Sequence, residues 1–443
     1  MRSPYSPIQW LTRLSHEQLK ASHQVLGRII LSLLFLHALF YMNFFILSGF
    51  LRKRIQDKDV IWGIISFTLF VILSTTALQR ARRWNYRVFL LSHIIIANLV
   101  LVTLYIHVTH IRLYVLQAIA VNTINRILHY SSLKTFSGTI KARPGTELVQ
   151  IRIPITSLNS TLAWKPGQHV YLSRPSGKST SITDLLFLQN QTNPFTVASI
   201  PVKDKELLLI VKTLTGNTKK LAELARSLSN PENNDAPVVP LTLEGPYGAS
   251  AHLPDFSAFD KVLLVAGGVG ATFVLPIYRS IIEFHDANHA GGPQVRCIWA
   301  VKRLADAQWA FPSSNSPEPE PESGDEPPSH GSHAIEVFVT RPSGSATHIA
   351  DSGEEVELAE LAEDDQLLSM EEQMEKPRKG MVLRTGRPKI SAIVDEVFSK
   401  GSRVAVISCG PRSLTQKLGL NVEQWVAQGH DVEVYWHEET FGW

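Results

Sequence analysis

Four histidines define the chemistry open to the first third of this chain. His23 and His37 lie on one apolar stretch and His93 and His107 on another, and the spacing is fourteen residues in both. Fourteen residues are close to four helical turns, so the two histidines of a pair share a helix face, ~21 Å apart along the axis. An imidazole is a metal ligand, and imidazoles from two helices can clamp a haem iron from both sides. A hydrocarbon core of roughly 30 Å has room for two such groups, one above the other. The alternative is that these are histidines at membrane ends or satisfied inside a bundle. Ionisable residues within spans are rare and default to function, and the repeated spacing favours haem ligation and an electron wire.

The elements that must hold these rings are membrane helices. Val25 to Leu51, Val60 to Leu78 and Val88 to His107 are apolar runs, and Ile111 to Leu128 is a weaker fourth, broken by Arg112, Gln117, Asn122, Asn125 and Arg126. Four crossings return both termini to one side. Arg2, Arg13, Lys20, Arg126 and Lys134 join the loop Arg80 to Arg87 on that side, which the excess of positive charge marks as cytosolic. One span separates the haem helices, so they run parallel: His23 pairs with His93 near the cytosol, and His37 with His107 near the far face. His110 is an alternative to His107, and His16 and His129 are read as interfacial. Residues before Val25 hold no apolar leader core, so the first span is expected to act as the anchor.

The 443-residue chain has two cysteines, Cys297 and Cys409, which excludes a disulfide framework and fits a reducing cytosol. Net charge is +3 and no nucleic-acid partner is expected. Between Glu318 and Glu375 there are 17 Asp and Glu against Arg341 as the only Lys or Arg, so an acidic disordered insertion is expected over about 312–380, with one strand-like piece at Ile335 to Thr340.

From Phe136 to Gly248 short alternating strands with turn signals predict a small antiparallel barrel, interrupted by one helix near Thr218 to Leu228. After Lys261 the pattern becomes strand, glycine turn, helix: Val262 to Ala266, then Gly267-Gly268-Val269-Gly270-Ala271-Thr272, then a helix through Ile282. Strands follow at Val295 to Val301, Ile335 to Thr340, Val404 to Ser408 and Val432 to Tyr435, the order of a parallel nucleotide-binding sheet. The glycine turn lets phosphates approach the backbone, although such turns also serve packing. The fold class is therefore multidomain: 1–24 a cytosolic segment, 25–130 an α-helical transmembrane haem bundle, 131–250 an antiparallel β-barrel and 260–443 an α/β parallel-sheet domain.

Trp164-Lys-Pro-Gly-Gln-His169, Pro194-Phe-Thr-Val-Ala-Ser199, Gly216-Asn-Thr218, Glu244-Gly-Pro-Tyr-Gly248, the Gly267 to Thr272 turn, Cys409-Gly-Pro411 and Glu439-Thr-Phe-Gly-Trp443 occur in one order. That order resembles the ferredoxin-reductase-like flavoproteins, and with the histidines before it the chain resembles a fungal-type ferric or cupric reductase of the ferric reductase and NADPH oxidase superfamily. The resemblance implies FAD on the barrel, NADPH on the parallel sheet as electron donor, and two haem b groups on His23, His37, His93 and His107. Relatives usually carry further spans ahead of the segment resembling Trp10 to Arg28, so the N-terminal spans are expected to be lacking here.

By that resemblance Pro194, Phe195 and Thr196 pack on the flavin ring and its reactive nitrogen. The family usually begins the signature with histidine, and Asn193 stands there instead, able to donate a hydrogen bond but not to carry positive charge. Lys212 and Thr218 are implied near the flavin phosphates, although Thr218 could serve only as a helix cap. Gly267, Gly268, Gly270 and Thr272 resemble the pyridine-nucleotide turn. Cys409, Gly410 and Pro411 resemble the motif that approaches the nicotinamide; a buried core cysteine is the alternative. Lys302 and Arg387 are candidates for the extra phosphate of NADPH, against a reading as plain surface cations. Phe441 resembles the terminal aromatic that covers the flavin, or else packs the last strand. Thr196, Cys409 and Phe441 are the implied catalytic residues.

The implied activity is transmembrane transfer of electrons from cytosolic NADPH through FAD and haem to ferric chelates or cupric ions, at the plasma membrane or the vacuolar membrane. An iron-uptake partner protein and the bilayer itself are the implied contacts. The same parts could serve a superoxide-producing NADPH oxidase, a truncated non-catalytic relative, or a tethered diaphorase whose histidines bind nothing.

Overall fold

The computed structural model describes residues 7–12, 16–158, 163–173, 192–214, 216–228, 237–248, 253–288, 292–311, 334–340, 380–429 and 431–439. Contacts divide the chain into two units. One comprises Met1–Thr135, Tyr171–Asn193 and Thr242–Gly248; the other comprises Phe136–Val170, Pro194–Leu241 and Ala249–Trp443.

The first unit is built on four long helices, α1 (His16–Leu47), α2 (Lys58–Thr76), α3 (Tyr86–His107) and α4 (Arg112–Ser132). Leu19–Leu47, Lys58–Thr76 and Val88–His107 are long and apolar enough to cross a membrane. Their large apolar side chains face outward, as in Phe35, Phe40, Phe44, Ile95 and Leu99, the arrangement that suits lipid and not water. Within the bundle the polar contact is small. The Ser66 hydroxyl of α2 and the Thr103 hydroxyl of α3 lie 2.9 Å apart, both buried, and each is also within hydrogen-bond reach of a carbonyl of its own helix. The fourth expected span does form a helix, but α4 does not reach the apolarity of the other three among the described residues. It buries only Val115, Asn125, His129 and Ser132, so the polar interruptions in its sequence make it amphipathic. Return of the chain to its starting side is therefore not given by apolar helices alone.

The antiparallel sheet holds β1 (Lys134–Ala142), β2 (Leu148–Pro154), β3 (His169–Ser173), β4 (Thr192–Thr196), β5 (Glu206–Lys212) and β6 (Val238–Tyr247), in the order β4-β3-β6-β1-β2-β5. A bridge between Val197, just past β4, and Leu209 of β5 brings the two edges together, which makes the sheet a near-closed barrel. Helix α5 (Asn217–Leu228) follows β5 and buries Leu221, Ala222 and Ala225.

The parallel sheet holds β7 (Lys261–Gly267), β8 (Gln294–Val301), β9 (Ile335–Val339), β10 (Met381–Thr385), β11 (Arg403–Cys409) and β12 (Glu433–Glu439), in the order β10-β9-β8-β7-β11-β12. Helix α6 (Ala271–Asn288) covers one face, and α7 (Ile390–Val397) with α8 (Arg412–Ala427) covers the other. The sheet reverses its order between β7 and β11, and ligands of such sheets bind outside the carboxyl ends of the strands at that point. The core on the α6 side continues into barrel residues Leu148, Ala198 and Ile210. Arg279 of α6 adds a bidentate pair with Asp204, at 2.9 and 2.6 Å.

The strand-like piece in the acidic region is β9, an inner strand and no part of a disordered insertion, and β10 extends the sheet beyond it. The rest of the expected insertion, 312–333 and 341–379, lies outside the described residues. β9 and β10 are tied by charge: Glu336 accepts from Arg296 of β8 at 2.7 Å and from Arg384 of β10 at 2.6 Å, and Arg296 also bonds Glu396. Burial pushes the Glu336 carboxyl up, but the two guanidinium groups more than offset it and hold it below its ordinary value of 4.5. The ionised form is thus favoured by folding, and its stabilisation is present above about pH 4.5 and lost as pH falls through the lowered folded value. Glu336→Gln should cost about 1–3 kcal/mol at neutral pH and the cost should shrink in acid, as read by denaturant melts of both proteins across that range.

Candidate functional site

The structure brings the inner histidine pair together. The His23 ring on α1 and the His93 ring on α3 lie with centroids 6.3 Å apart at an interplanar angle of 79°, and Nδ1 of His93 is buried with no hydrogen-bond partner among the described residues. A metal–imidazole bond of ~2 Å on each side, with about 1 Å from ring nitrogen to ring centre, asks for roughly 6 Å between facing rings. The spacing and the orphaned nitrogen therefore fit one metal centre held by both rings.

The outer pair is not assembled in the same way. His37 leans on Tyr41, one turn along α1, with centroids 4.7 Å apart. His107 sits at the far end of α3, where its Nδ1 lies 2.6 Å from the Asp59 carbonyl at the start of α2. That contact makes Nδ1 the protonated nitrogen and leaves Nε2 as the lone-pair donor, the arrangement that orients metal-ligating histidines. Gly63 makes it possible: a Cβ there would lie 2.6 Å from Cε1 of His107. No ring contact joins His37 to His107 among the described residues. His110, the alternative ligand, is exposed in a short turn after α3. His129, read as interfacial, is instead buried and bonded to Glu244 at 2.6 Å; the low exposure of its surroundings was hidden by the polar residues around it in the sequence.

In the second unit the flavin signature lies on β4, with Pro194 and Phe195 half-buried and the Thr196 hydroxyl side chain buried. Lys212 ends β5, 4.0 Å from Glu147. Thr218 opens α5 behind Gly216, whose φ is +68°, and its hydroxyl accepts the Leu214 N–H at 3.0 Å. That bond ties the hydroxyl oxygen to the turn, and the start of the helix presents backbone N–H groups to an anion.

The glycine turn and the Cys409-Gly410-Pro411 turn interlock. A Cβ on Gly270 would lie 2.2 Å from the Cys409 carbonyl oxygen, one on Gly267 would lie 2.5 Å from Cδ of Pro411, and one on Gly410 would lie 3.0 Å from Cα of Gly267. Three of the four glycines in these turns therefore serve close backbone approach. Gly268 differs, since its φ is +56° and the space above it is open. Its carbonyl accepts from Nε1 of the fully buried Trp299 at 2.9 Å, and Thr272 ties back to the Val269 carbonyl at 2.8 Å. Lys302 and Arg387 are exposed at the carboxyl ends of β8 and β10, on the same edge as the glycine turn. Cys409 is fully buried, and burial, with Glu439 and Glu438 nearby, pushes its thiol far up, so it stays protonated. Phe441 lies outside the described residues.

Sequence reasoning did not find the supports. Gly63, Trp299 and the Arg279–Asp204 pair carry no motif. Nor did it find His437, which stacks on Phe273 at 5.8 Å with Nε2 buried, 3.6 Å from Glu439. The alternation of β12 could have placed His437 and Glu439 on one face.

Three family models match in chain order: a ferric reductase like transmembrane component over residues 1–104, an FAD-binding domain over 137–251 and a ferric reductase NAD binding domain over 259–422. Ferric reductase transmembrane component 4 of Saccharomyces cerevisiae is 30% identical over 272 residues, covering 59% of this chain and 34% of the relative. A probable metalloreductase, AIM14, of Meyerozyma guilliermondii is 24% identical over 93% of this chain and 74% of its own length. Ferric reductase transmembrane component 3 of S. cerevisiae is 24% identical over 98% of this chain and 58% of its own length. The chain thus spans between about a third and three quarters of these relatives.

Because the Cys409 carbonyl is backbone and cannot step aside, Gly270→Ala should force the two turns apart. The expected result is a loss of about 1–3 kcal/mol or more in thermal unfolding, together with loss of NADPH binding in a titration followed by flavin absorbance.

Proposed function

The chain belongs to the ferric reductase family, and on that premise we propose that it is a membrane oxidoreductase moving electrons from NADPH to ferric or cupric chelates across the bilayer. Bound FAD would supply the conversion of a two-electron hydride into single electrons, and two bis-histidine haem b groups would supply their conduction. The observation that carries this reading is the pair His23 and His93, whose ring separation fits two imidazoles that would hold one metal between them.

His23 and His93 hold the inner centre, and His107, oriented by Asp59, holds the outer one with His37 after the latter leaves Tyr41. Full ligation at both leaves no open position, which selects outer-sphere transfer to the acceptor. Pro194, Phe195 and Thr196 bind the flavin ring, with Lys212 and the start of α5 on its phosphates. Gly268 and Thr272 admit the nucleotide backbone, and Lys302 and Arg387 offer charge to the additional phosphate of NADPH. Cys409, protonated and buried, would shape the nicotinamide side with Gly410 and Pro411, and Phe441, outside the described residues, is the implied cover of the flavin. The nucleotide-binding unit faces the cytosol, at the plasma membrane or the vacuolar membrane.

An anaerobic absorption spectrum of the detergent-purified full chain, before and after NADPH, tests this reading. Two low-spin haems per polypeptide, reduced through bound FAD, are expected; no haem, or haem that NADPH leaves oxidised, overturns it. His37→Ala should then lose the outer haem and keep NADPH-to-flavin transfer. Gly63→Ala should do the same by pushing the His107 ring off Asp59, a loss of one haem from a residue that touches none.

A further inference from the structure

Cations collect at the end of the helix bundle where the outer histidines lie, and nothing in the scheme above uses them. α1 stops at Leu47, Gly49 turns the chain with a φ of +70°, and one helical turn, Leu51–Arg54, leads through Asp57 into α2. That connection carries Arg52, Lys53, Arg54 and Lys58, all exposed, against the carboxylates of Asp57 and Asp59. Arg54 is taken by Asp57, at 2.9 Å, whereas Arg52, Lys53 and Lys58 enter no ion pair among the described residues. Arg112 is pinned at the same end: its Nε donates to the Tyr105 carbonyl at 3.0 Å, and its guanidinium lies 5.1 Å from the centre of the Tyr105 ring. Two features set this charge apart from ordinary loop polarity. Lys and Arg gather in cytosolic loops, and in the orientation read from the flanking cations this loop is on the other side. Lys58 is moreover the first residue of a 19-residue helix, where the helix dipole opposes a cation and favours an anion. The Asp57 side chain makes no cap hydrogen bond to that helix, being turned to Arg54. The connection is also fixed to an outer histidine, since Asp59, next to Lys58, accepts the His107 N–H through its carbonyl at 2.6 Å.

We propose that Arg52, Lys53 and Lys58, with the start of α2, form the docking site for a multiply anionic ferric chelate at the outer end of the relay, and that neutral chelates are held poorly there. This names the substrate class for the function proposed above and rests on that function for the electron the chelate receives. Arg and protonated Lys have no lone pair for a metal ion; they bind the anionic oxygens of the ligand that carries it. Each exposed cation adds little alone, but the summed potential of several draws in and concentrates an anion. All the residues concerned belong to the unit that holds the histidines.

Gallium(III) matches iron(III) in charge and is not reduced by the chain, so binding is read without electron transfer. The detergent-purified full chain is dialysed to equilibrium against gallium tris-oxalate, a trianion, and separately against gallium tris-acetohydroxamate, which is neutral. Wild type should bind the trianion at least about tenfold more tightly than the neutral complex, with an affinity that falls as salt is raised. Arg52→Gln, Lys53→Gln and Lys58→Gln combined should weaken binding of the trianion about tenfold or more, leave the neutral complex unaffected and keep the absorption spectrum of wild type. Lys53→Gln alone should give a smaller loss of the same kind, and it decides the matter if the combined variant does not fold. Arg80→Gln with Arg83→Gln removes exposed charge from the loop at the opposite end of α2 and should leave both affinities within about twofold. Equal binding of the two complexes, an affinity indifferent to salt, unchanged binding in the loop variants, or an equal loss from the Arg80 and Arg83 pair would each overturn the proposal. A wild-type chain that holds the trianion but no haem would overturn the relay and leave the docking site standing.

Discussion

A ring nitrogen inside an apolar helix bundle has to find a partner, and the first unit is organised by that requirement. Backbone groups of the spanning helices satisfy one another, and Ser66 and Thr103 satisfy each other between α2 and α3. The histidines cannot be satisfied within their own helices, because an imidazole reaches sideways. His107 donates to the Asp59 carbonyl, whose oxygen has two lone pairs, and Gly63 clears the ring's path. Among the described residues Nδ1 of His93 has no hydrogen-bond partner, and the His23 ring lies with its centroid 6.3 Å away. The spacing of the two rings fits a shared metal, the reading proposed above.

The second unit obeys a different constraint, the close approach of two backbone turns at the reversal point of a parallel sheet. β7 and β11 are neighbours in register, Ala266 beside Cys409, so the turns that leave them collide unless side chains are absent. Gly267, Gly270 and Gly410 are glycine for that reason, and only Gly268 has the positive φ and open space that a ligand backbone or phosphate would use. Trp299 fixes the Gly268 carbonyl from below, so the turn cannot relax when empty.

Much of this was legible in the sequence where the signal is periodic. The helical histidine spacing, the apolar runs, the alternating strands of the barrel and the strand-turn-helix order of the sheet all have a period that burial enforces. What was not legible depends on partners far along the chain. The weakness of α4 as an apolar span was legible in its polar interruptions, whereas the burial of Asn125 and His129 was not, since it needs neighbours distant in sequence such as Glu244. β10, at the edge of the sheet with exposed Val382 and Leu383, has too little burial to leave a pattern and is held by Arg384 on Glu336. The glycine turn was read for phosphate, whereas three of its relevant glycines answer to backbone crowding that appears only when β11 is alongside.

Cys409 shows how far a resemblance can carry a residue and where the physics takes over. The resemblance implies a thiol near the nicotinamide, which invites a chemical role. Its side chain is fully buried between the turns and faces Glu438 and Glu439, so desolvation and like charge both oppose the thiolate. A thiol that cannot ionise neither attacks nor exchanges protons at neutral pH. What remains is size and shape: a side chain small enough for Gly270 to pass at the backbone and apolar enough to exclude water from the end of β11. A larger apolar residue there would crowd Gly270, since a Cβ on that glycine would stand only 3.2 Å from Sγ of Cys409. The narrow range of side chains that fit makes the position a matter of packing, and any influence on hydride transfer passes through the geometry of the two turns it holds apart.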